Sequence, residues 1–351
     1  MLRKLHGLPG LFAALLLFVL ATSGAVLSIV PALERSAATV PATGDLSVAE
    51  LAERVVAHYP STEQIKRSAA GEIIVYHNTN GQPAAVLVNP ISGEAIAAHQ
   101  PSAWVRWVKN LHRSFLLGDT GRVLAGVLAA LMVLICLSGM FLLVRRLGGW
   151  SAILRPIAGS GSQRIHAELA RFAVIGLLLS ALTGSYMSAV RFELLPEASN
   201  AAVGSLNALK NLDINQLREL VFPYPNDPTD VYSLSTTQGA GFVDQASGEL
   251  LQFQPHSANS QFQHWMTILH TGEGLWWLGL ILGLVALTVP ALSITGIHIW
   301  WQRRSSAIGH IESASSDIAD TVILVGSEGN STWGFAEDLQ NQLKQAGKKV
   351  H

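Results

Sequence analysis

Four of the twelve histidines in this chain sit at spacings that invite chemistry. His6 and His166 are each followed 18 residues later by the glycine of a Ser/Thr-Gly pair, Gly24 and Gly184. His112 and His270 each end an "LH" dipeptide, and lie 27 and 26 residues before a second set of such glycines, Gly139 and Gly296. A neutral imidazole carries a nitrogen lone pair and is the commonest metal ligand in proteins. A single histidine beside Arg or Lys at an apolar edge, like His112 in "KNLHRSFLLGDTG", is ordinarily an interfacial residue. Four at repeated positions ask for a different account, and the elements that carry them must supply it.

Those elements are membrane helices. The chain has 351 residues, 49% hydrophobic and 13% charged, with mean hydropathy +0.34. Soluble domains carry about twice that share of charge. Four apolar runs without a charged residue, Leu8–Leu33, Val123–Val144, Phe172–Val190 and Gly274–Gln302, each reach the roughly 20 residues needed to cross a bilayer. The first is longer than a signal-peptide core and lacks a small-residue cleavage site, so it reads as a retained helix. Arg3, Lys4, Arg145, Arg146, Arg155, Arg164, Arg303 and Arg304 all fall on one side of these runs. The positive-inside rule then places both termini in the cytoplasm and the loops 34–120 and 191–272 outside. Trp276-Trp277 and Trp300-Trp301 suit the two interfacial belts. The formal net charge of -1 gives no electrostatic reason to expect nucleic acid. The only cysteine, Cys136, excludes a disulfide within one chain and reads as a packing residue.

The chain also repeats itself. "LHGLPGLFAALLLFVLATSG" from Leu5 parallels "IHAELARFAVIGLLLSALTG" from Ile165, and "VNPISGEAI" at 88–96 parallels "VDQASGELL" at 243–251. The offsets stay close to one value: 160 for His6/His166, 155 for Ser92/Ser247, 158 for His112/His270 and 157 for Gly139/Gly296. The expected fold class is therefore membrane α-helical, with four transmembrane helices from two parallel pseudo-repeats, each bearing a small α+β outer module. In the first module 46–57 has helical spacing, 72–77 and 84–89 read as strands, and "NPISGE" is a turn with Gly93 suited to positive φ. The second gives strands near 231–235 and 240–244 with the turn "DQASGE".

Two halves in one orientation imply a pseudo-twofold axis along the membrane normal. That symmetry pairs His6 with His166 near the cytoplasmic surface and His112 with His270 near the outer surface. Two imidazoles on facing helices suit the axial positions of one haem iron. The expected cofactors are two b-type haems, with Ser/Thr-Gly pairs letting a flat macrocycle approach backbone, and Arg3, Arg113 and Arg164 near enough to meet propionates. A zinc site fits less well, because each side offers two matched histidines and no cysteine. His298, whose counterpart is Phe141, is the substitute ligand for His6. His264 corresponds to Arg106, and His58, His77, His99, His256 and His310 receive no role.

These residues resemble the PepSY-associated transmembrane family. "VNPISGEAI" and "VDQASGELL" are similar to its outer module, and "NLHRSFLLGDTG", "ILHTGEGLWWLG" and "SITGIHIWWQRR" to its helix ends, across about residues 1–305. The resemblance implies a membrane oxidoreductase of the bacterial inner membrane, passing electrons from a cytoplasmic flavin donor to a periplasmic ferric chelate or siderophore. A quinone-linked cytochrome and a non-enzymatic PepSY-type regulator of a periplasmic peptidase are the competing readings. The buried runs lack carboxylates and lysines, which argues against an ion-coupled transporter.

The tail, "DTVILVGSEGNSTWGFAEDLQNQLKQAGKKV" from Asp320, resembles the first strand, loop and helix of a flavodoxin-like domain. There Ser327, Gly329, Asn330, Ser331 and Thr332 would form an incomplete FMN-phosphate loop at a helix start. One strand and one helix do not complete such a fold. FMN, FAD and NADPH are therefore expected only in a longer parent protein, from which this chain is a fragment. The expected organisation is helix 1 at 1–33, first outer module and entry at 34–120, helix 2 at 121–146, a cytoplasmic loop at 147–164 and helix 3 at 165–191. The second module follows at 192–272, then helix 4 at 273–303, a linker at 304–319 and the flavodoxin-like segment at 320–351.

Overall fold

A computed structural model of the chain describes residues 2–38, 46–100, 102–157, 161–195, 212–225, 227–305, 315–325 and 332–351. The helices are α1 (Leu2–Leu27), α2 (Val30–Ala37), α3 (Val48–His58), α4 (Ala103–Ser114), α5 (Gly118–Leu147), α6 (Gly161–Arg191), α7 (Ala258–Thr271), α8 (Trp276–Ala286), α9 (Thr288–Ser305) and α10 (Trp333–Gln345). The strands are β1 (Thr62–Arg67), β2 (Ile73–Thr79), β3 (Gln82–Val88), β4 (Ala95–Ala98), β5 (Leu217–Val221), β6 (Val231–Thr236), β7 (Gly239–Asp244) and β8 (Leu250–Pro255).

Among the described residues, four helical stretches are long and apolar enough to cross a membrane: Leu2–Ala37, Gly118–Leu147, Gly161–Arg191 and Trp276–Gln302. They leave Phe12, Leu15, Phe172, Ile175 and Leu284 largely exposed. Such side chains are at home against lipid, where all backbone polar groups must be satisfied within the helix. The fourth stretch is not one straight helix. It breaks at Leu287 into α8 and α9, because Pro290 in the first turn of α9 has no N–H and its ring crowds the carbonyl four residues back.

Two further breaks correct the expected helix ends. His112 does not lie on the second spanning helix but on the separate α4, which ends where Phe115 and Leu116 take φ of 49° and 62°. His270 likewise lies on α7, closed by Gly272 at φ 73°. Both short helices start from a serine cap: Ser102 Oγ accepts from the Val105 N–H at 3.5 Å, and Ser257 Oγ from the Ser260 N–H at 3.1 Å.

The expectation of two separate outer modules is also corrected. All eight strands form one antiparallel sheet in the order β4-β3-β2-β1-β5-β6-β7-β8. The join is β1 with β5, pairing Gln64, Ile65 and Lys66 with Val221, Leu220 and Glu219. Neither joining strand was anticipated. "TEQIKR" is too polar to signal a strand, and "LRELV" is short, yet Ile65, Leu217 and Leu220 are 0–1% exposed. They pack with Val48, Leu51 and Val55 of α3, and with Ile73, Val75, Val88, Leu234 and Val243, as one core. Removing that apolar area from water drives the assembly, at roughly 25 cal/mol per Å² buried. Helix α3 starts from a full capping box, with Ser47 and Glu50 each accepting from the other's backbone N–H.

The expected turns close with the same hydrogen bonds. Asn89 N–H donates to Glu94 O at 2.9 Å and Asp244 N–H to Glu249 O at 2.9 Å. Gly93 and Gly248 take φ of 77° and 69°. In the tail, the run from Asp320 is followed by α10 and then by a second short extended segment. Thr321 and Val350 form a parallel bridge, with His351 N–H donating to Thr321 O at 2.9 Å. The expected single strand and helix is thus a one-residue bridge, Thr321 to Val350, with α10 between its partners.

The chain divides into two compact units. One gathers Met1–Ala14, Ser138–Phe172 and Pro290–His351; the other gathers Leu15–Leu137 and Ala173–Val289, and contains the sheet.

Candidate functional site: two histidine pairs

The four repeated histidines meet as two pairs, one in each unit. In the first unit the His6 and His166 rings have centroids 6.3 Å apart and planes at 84°. In the second, the His112 and His270 rings are 6.2 Å apart at 41°. His6 comes from α1, His166 from α6, His112 from α4 and His270 from α7, so each pair takes one ring from each half of the sequence.

Each ring leans on a Ser/Thr-Gly pair of another helix, and the match is not the one that spacing along the chain suggests. His6 does not meet Gly24 of its own helix. Its Nδ1 lies 3.3 Å from Ser138 Oγ on α5, and His166 Nδ1 lies 2.9 Å from Thr295 Oγ1 on α9. His112 Nδ1–H donates to the Leu20 carbonyl of α1 at 2.9 Å, with Ser23 Oγ at 3.2 Å. His270 Nδ1–H donates to the Ser180 carbonyl of α6 at 3.1 Å, with Thr183 Oγ1 at 3.0 Å. The hydroxyls were legible in the sequence only as half of a small-residue pair; their role as imidazole partners is a tertiary fact.

The glycines explain how the rings come so close. A Cβ added at Gly24 would lie 2.9 Å from His112 Cε1, at Gly139 2.8 Å from His6 Cε1, and at Gly184 3.1 Å from His270 Cε1. At Gly296 the corresponding distance to His166 Cε1 is 3.5 Å, an ordinary contact. Gly24 and Gly139 therefore need to be glycine for the ring to sit where it does, and at Gly184 a Cβ would fit only if the ring gave way by a few tenths of an ångström. Gly272 serves the same end one step removed: a Cβ there would meet Gly279 Cα at 2.6 Å, so the turn after His270 packs onto α8 only as glycine.

With Nδ1 engaged, Nε2 is the nitrogen left for a ligand. An imidazole nitrogen lies about 1.1 Å from its ring centre and a bound first-row metal about 2.0 Å further on, so one ion held in line between two rings sets their centres roughly 6.2–6.3 Å apart. Both pairs have that separation. Among the described residues no group of three or more His, Cys, Asp or Glu could hold a metal, so any ion here would bring its remaining ligands with it. The donor set of two imidazoles with glycine clearance beside the rings fits a haem iron better than a bare ion. In the second pair, burial among packed helices disfavours the charged form: it pushes His270 down to about 4, helped by His112, and lowers His112 as well. Neutral imidazole is the ligating form.

The sequence profile of the PepSY-associated TM region matches residues 3–303. The chain belongs to the PepSY-associated transmembrane family. No curated protein matches it. Both histidine pairs of this PepSY-associated chain lie inside the matched span, and the tail lies beyond it.

The remaining candidates are placed as follows. His298, on α9, is exposed and sits 2.7 Å from Ser162 Oγ through Nδ1, outside the His6–His166 contact. His264 Nε2 accepts from Arg218 at 3.0 Å on the sheet-bearing unit, where burial first and Arg218 next hold it below the usual histidine range. Cys136 is buried. Ser327, Gly329, Asn330 and Ser331 lie outside the described residues, and Thr332 immediately precedes α10.

Proposed function

We propose that this protein moves electrons across a bacterial inner membrane, each histidine pair holding one b-type haem. The observation that carries the reading is the ring separation, 6.3 and 6.2 Å in two pairs built from different helices. A haem held by the two imidazoles of a pair would supply one-electron chemistry between ferric and ferrous iron. The chain's own residues do the rest. His6, His166, His112 and His270 present Nε2, the Ser/Thr partners orient the rings, and Gly24, Gly139 and Gly184 keep backbone clear of them. The apolar runs carry no carboxylate or lysine, so the reading requires no proton-transfer residue within them.

Further support comes from the repetition of each device: two pairs, four Ser/Thr-Gly partners, and a strand order that runs outward symmetrically from β1 and β5. We read these as two parallel repeats, with the His6/His166 site on the cytoplasmic side and the His112/His270 site on the outer side, a reading the arginine distribution supports. The electron donor is a cytoplasmic flavin and the acceptor a ferric chelate or siderophore outside, which makes the protein a membrane oxidoreductase related to ferric-siderophore reductases.

The test is the visible spectrum of the purified protein, oxidised and then reduced with dithionite, with haem counted per chain. A low-spin b-type spectrum with two haems is expected. Colourless protein from haem-sufficient cells would sink the proposal.

A further inference from the structure

Three of the four hydroxyls beside the histidines have a hydrogen-bond acceptor within their own helix. Ser23 Oγ donates to Val19 O at 2.7 Å, Thr183 Oγ1 to Leu179 O at 2.7 Å and Thr295 Oγ1 to Ala291 O at 2.7 Å. Each is back-bonded to the carbonyl one turn earlier in its own helix, a common arrangement for Ser and Thr inside helices. A hydroxyl has one proton, and here that proton is already committed. What it shows the imidazole is therefore a lone pair. For His112 and His270 a backbone carbonyl, which can only accept, stands beside the hydroxyl. A ring facing acceptors alone must carry its proton on Nδ1.

The carbonyl, the hydroxyl three residues on and the glycine four residues on form a single local pattern. It reads "LATSG" at 20–24, "ICLSG" at 135–139, "SALTG" at 180–184 and "LSITG" at 292–296. In a helix, residues i, i+3 and i+4 share one face. The glycine lets the ring edge reach that face, and the hydroxyl receives Nδ1–H.

The geometry points to these four segments as imidazole receptors, with Ser23, Thr183 and Thr295 as positioning residues that fix the Nδ1–H tautomer and present Nε2 before any cofactor arrives, and Ser138 in the same place beside His6. The haem-ligating role of the rings rests on the function proposed above; the receptor role does not, since the contacts exist in the bare chain. Such preorganisation matters because an imidazole in the other tautomer would offer a proton where the ligand lone pair is needed. A hydrogen bond from Nδ1–H also makes the ring a stronger donor and stabilises ferric iron, so its loss moves the potential upward.

Two measurements on the full-length chain test this. The first is the ¹⁵N imidazole spectrum of protein expressed without haem, with the His166 and His270 signals identified from H166A and H270A. The Nδ1–H tautomer is expected for both, and Nε2–H at either would overturn the receptor role there. The second compares Thr183→Val and Thr295→Val, which keep the shape and remove the lone pair, with Thr183→Ser and Thr295→Ser. Each valine variant should weaken haem binding at its own site about 10–100-fold, as outer partners of metal-bound histidines do, and shift that haem to a more positive potential. Each serine variant should restore both. Unchanged affinity and potential in the valine variants would overturn the inference. A chain that shows the expected tautomer and never takes up haem would refute the proposed cofactor and keep the receptors.

Discussion

At the scale of single residues, the four glycines facing the histidines are not equivalent. Alanine at Gly139 would press its Cβ to 2.8 Å from His6 Cε1, whereas at Gly296 it would reach 3.5 Å from His166 Cε1. Contact at the first distance is too close, and the mobile partner is the imidazole rather than the backbone of α5. Gly139→Ala should therefore leave the protein folded but swing His6 away from His166, with loss of the haem of that pair. Gly296→Ala should retain both haems, and its removal of a helix-interior glycine is worth up to about 1 kcal/mol of stability. Haem content and thermal stability of the two variants, measured side by side, check this. Equal haem loss in both would show that glycine clearance is not what places these rings.

At the scale of elements, the two turns of the sheet offer a comparison within one molecule. They share the strand-closing bonds and a positive-φ glycine, but one starts at Asn89 and the other at Asp244. Asp244 is held below the usual carboxylate range, chiefly by the Ser247 backbone N–H, then by the Ser247 hydroxyl. A carboxyl whose folded value is depressed contributes stability that is complete above its unfolded value, near 4, and is lost as pH falls through the folded value. The Asn89 turn has no such group. Amide exchange at Gly248, corrected for its intrinsic pH dependence, should accelerate relative to Gly93 as pH is lowered from about 5 to 2. Parallel behaviour of the two glycines would show that Asp244 does not hold its turn.

At the scale of the whole molecule, each site is shared between the halves of the chain. Each half carries its own Ser/Thr-Gly partners: Ser23-Gly24 and Ser138-Gly139 in the first, Thr183-Gly184 and Thr295-Gly296 in the second. Yet both ring contacts, His6 with His166 and His112 with His270, cross from one half to the other, and so does the β1–β5 seam. Residues 1–157 and 161–351 produced together as two polypeptides should assemble and take up two haems. Either polypeptide alone should take up none and should be readily proteolysed, because its half of the sheet ends at an open strand edge. A coloured single half would refute the shared-site arrangement.

The sequence by itself determined the spanning helices, the four histidines with the matching motifs around them, and the glycine turns. These rest on local composition, period and backbone sterics, which act over a few residues. Only the tertiary structure decided which histidine leans on which Ser/Thr-Gly pair, that α4 and α7 are separate short helices, and that the strands form one sheet. The reason is physical in each case. His6 and Gly24 share a helix and even a face of it, but 18 residues hold them about 27 Å apart, so the contact each makes is with a different helix. Phe115 and Leu116 look like the start of an apolar run, and only their left-handed backbone reveals the break. The polar strand β1 is a strand because β2 and β5 flank it, and nothing in "TEQIKR" alone could say so.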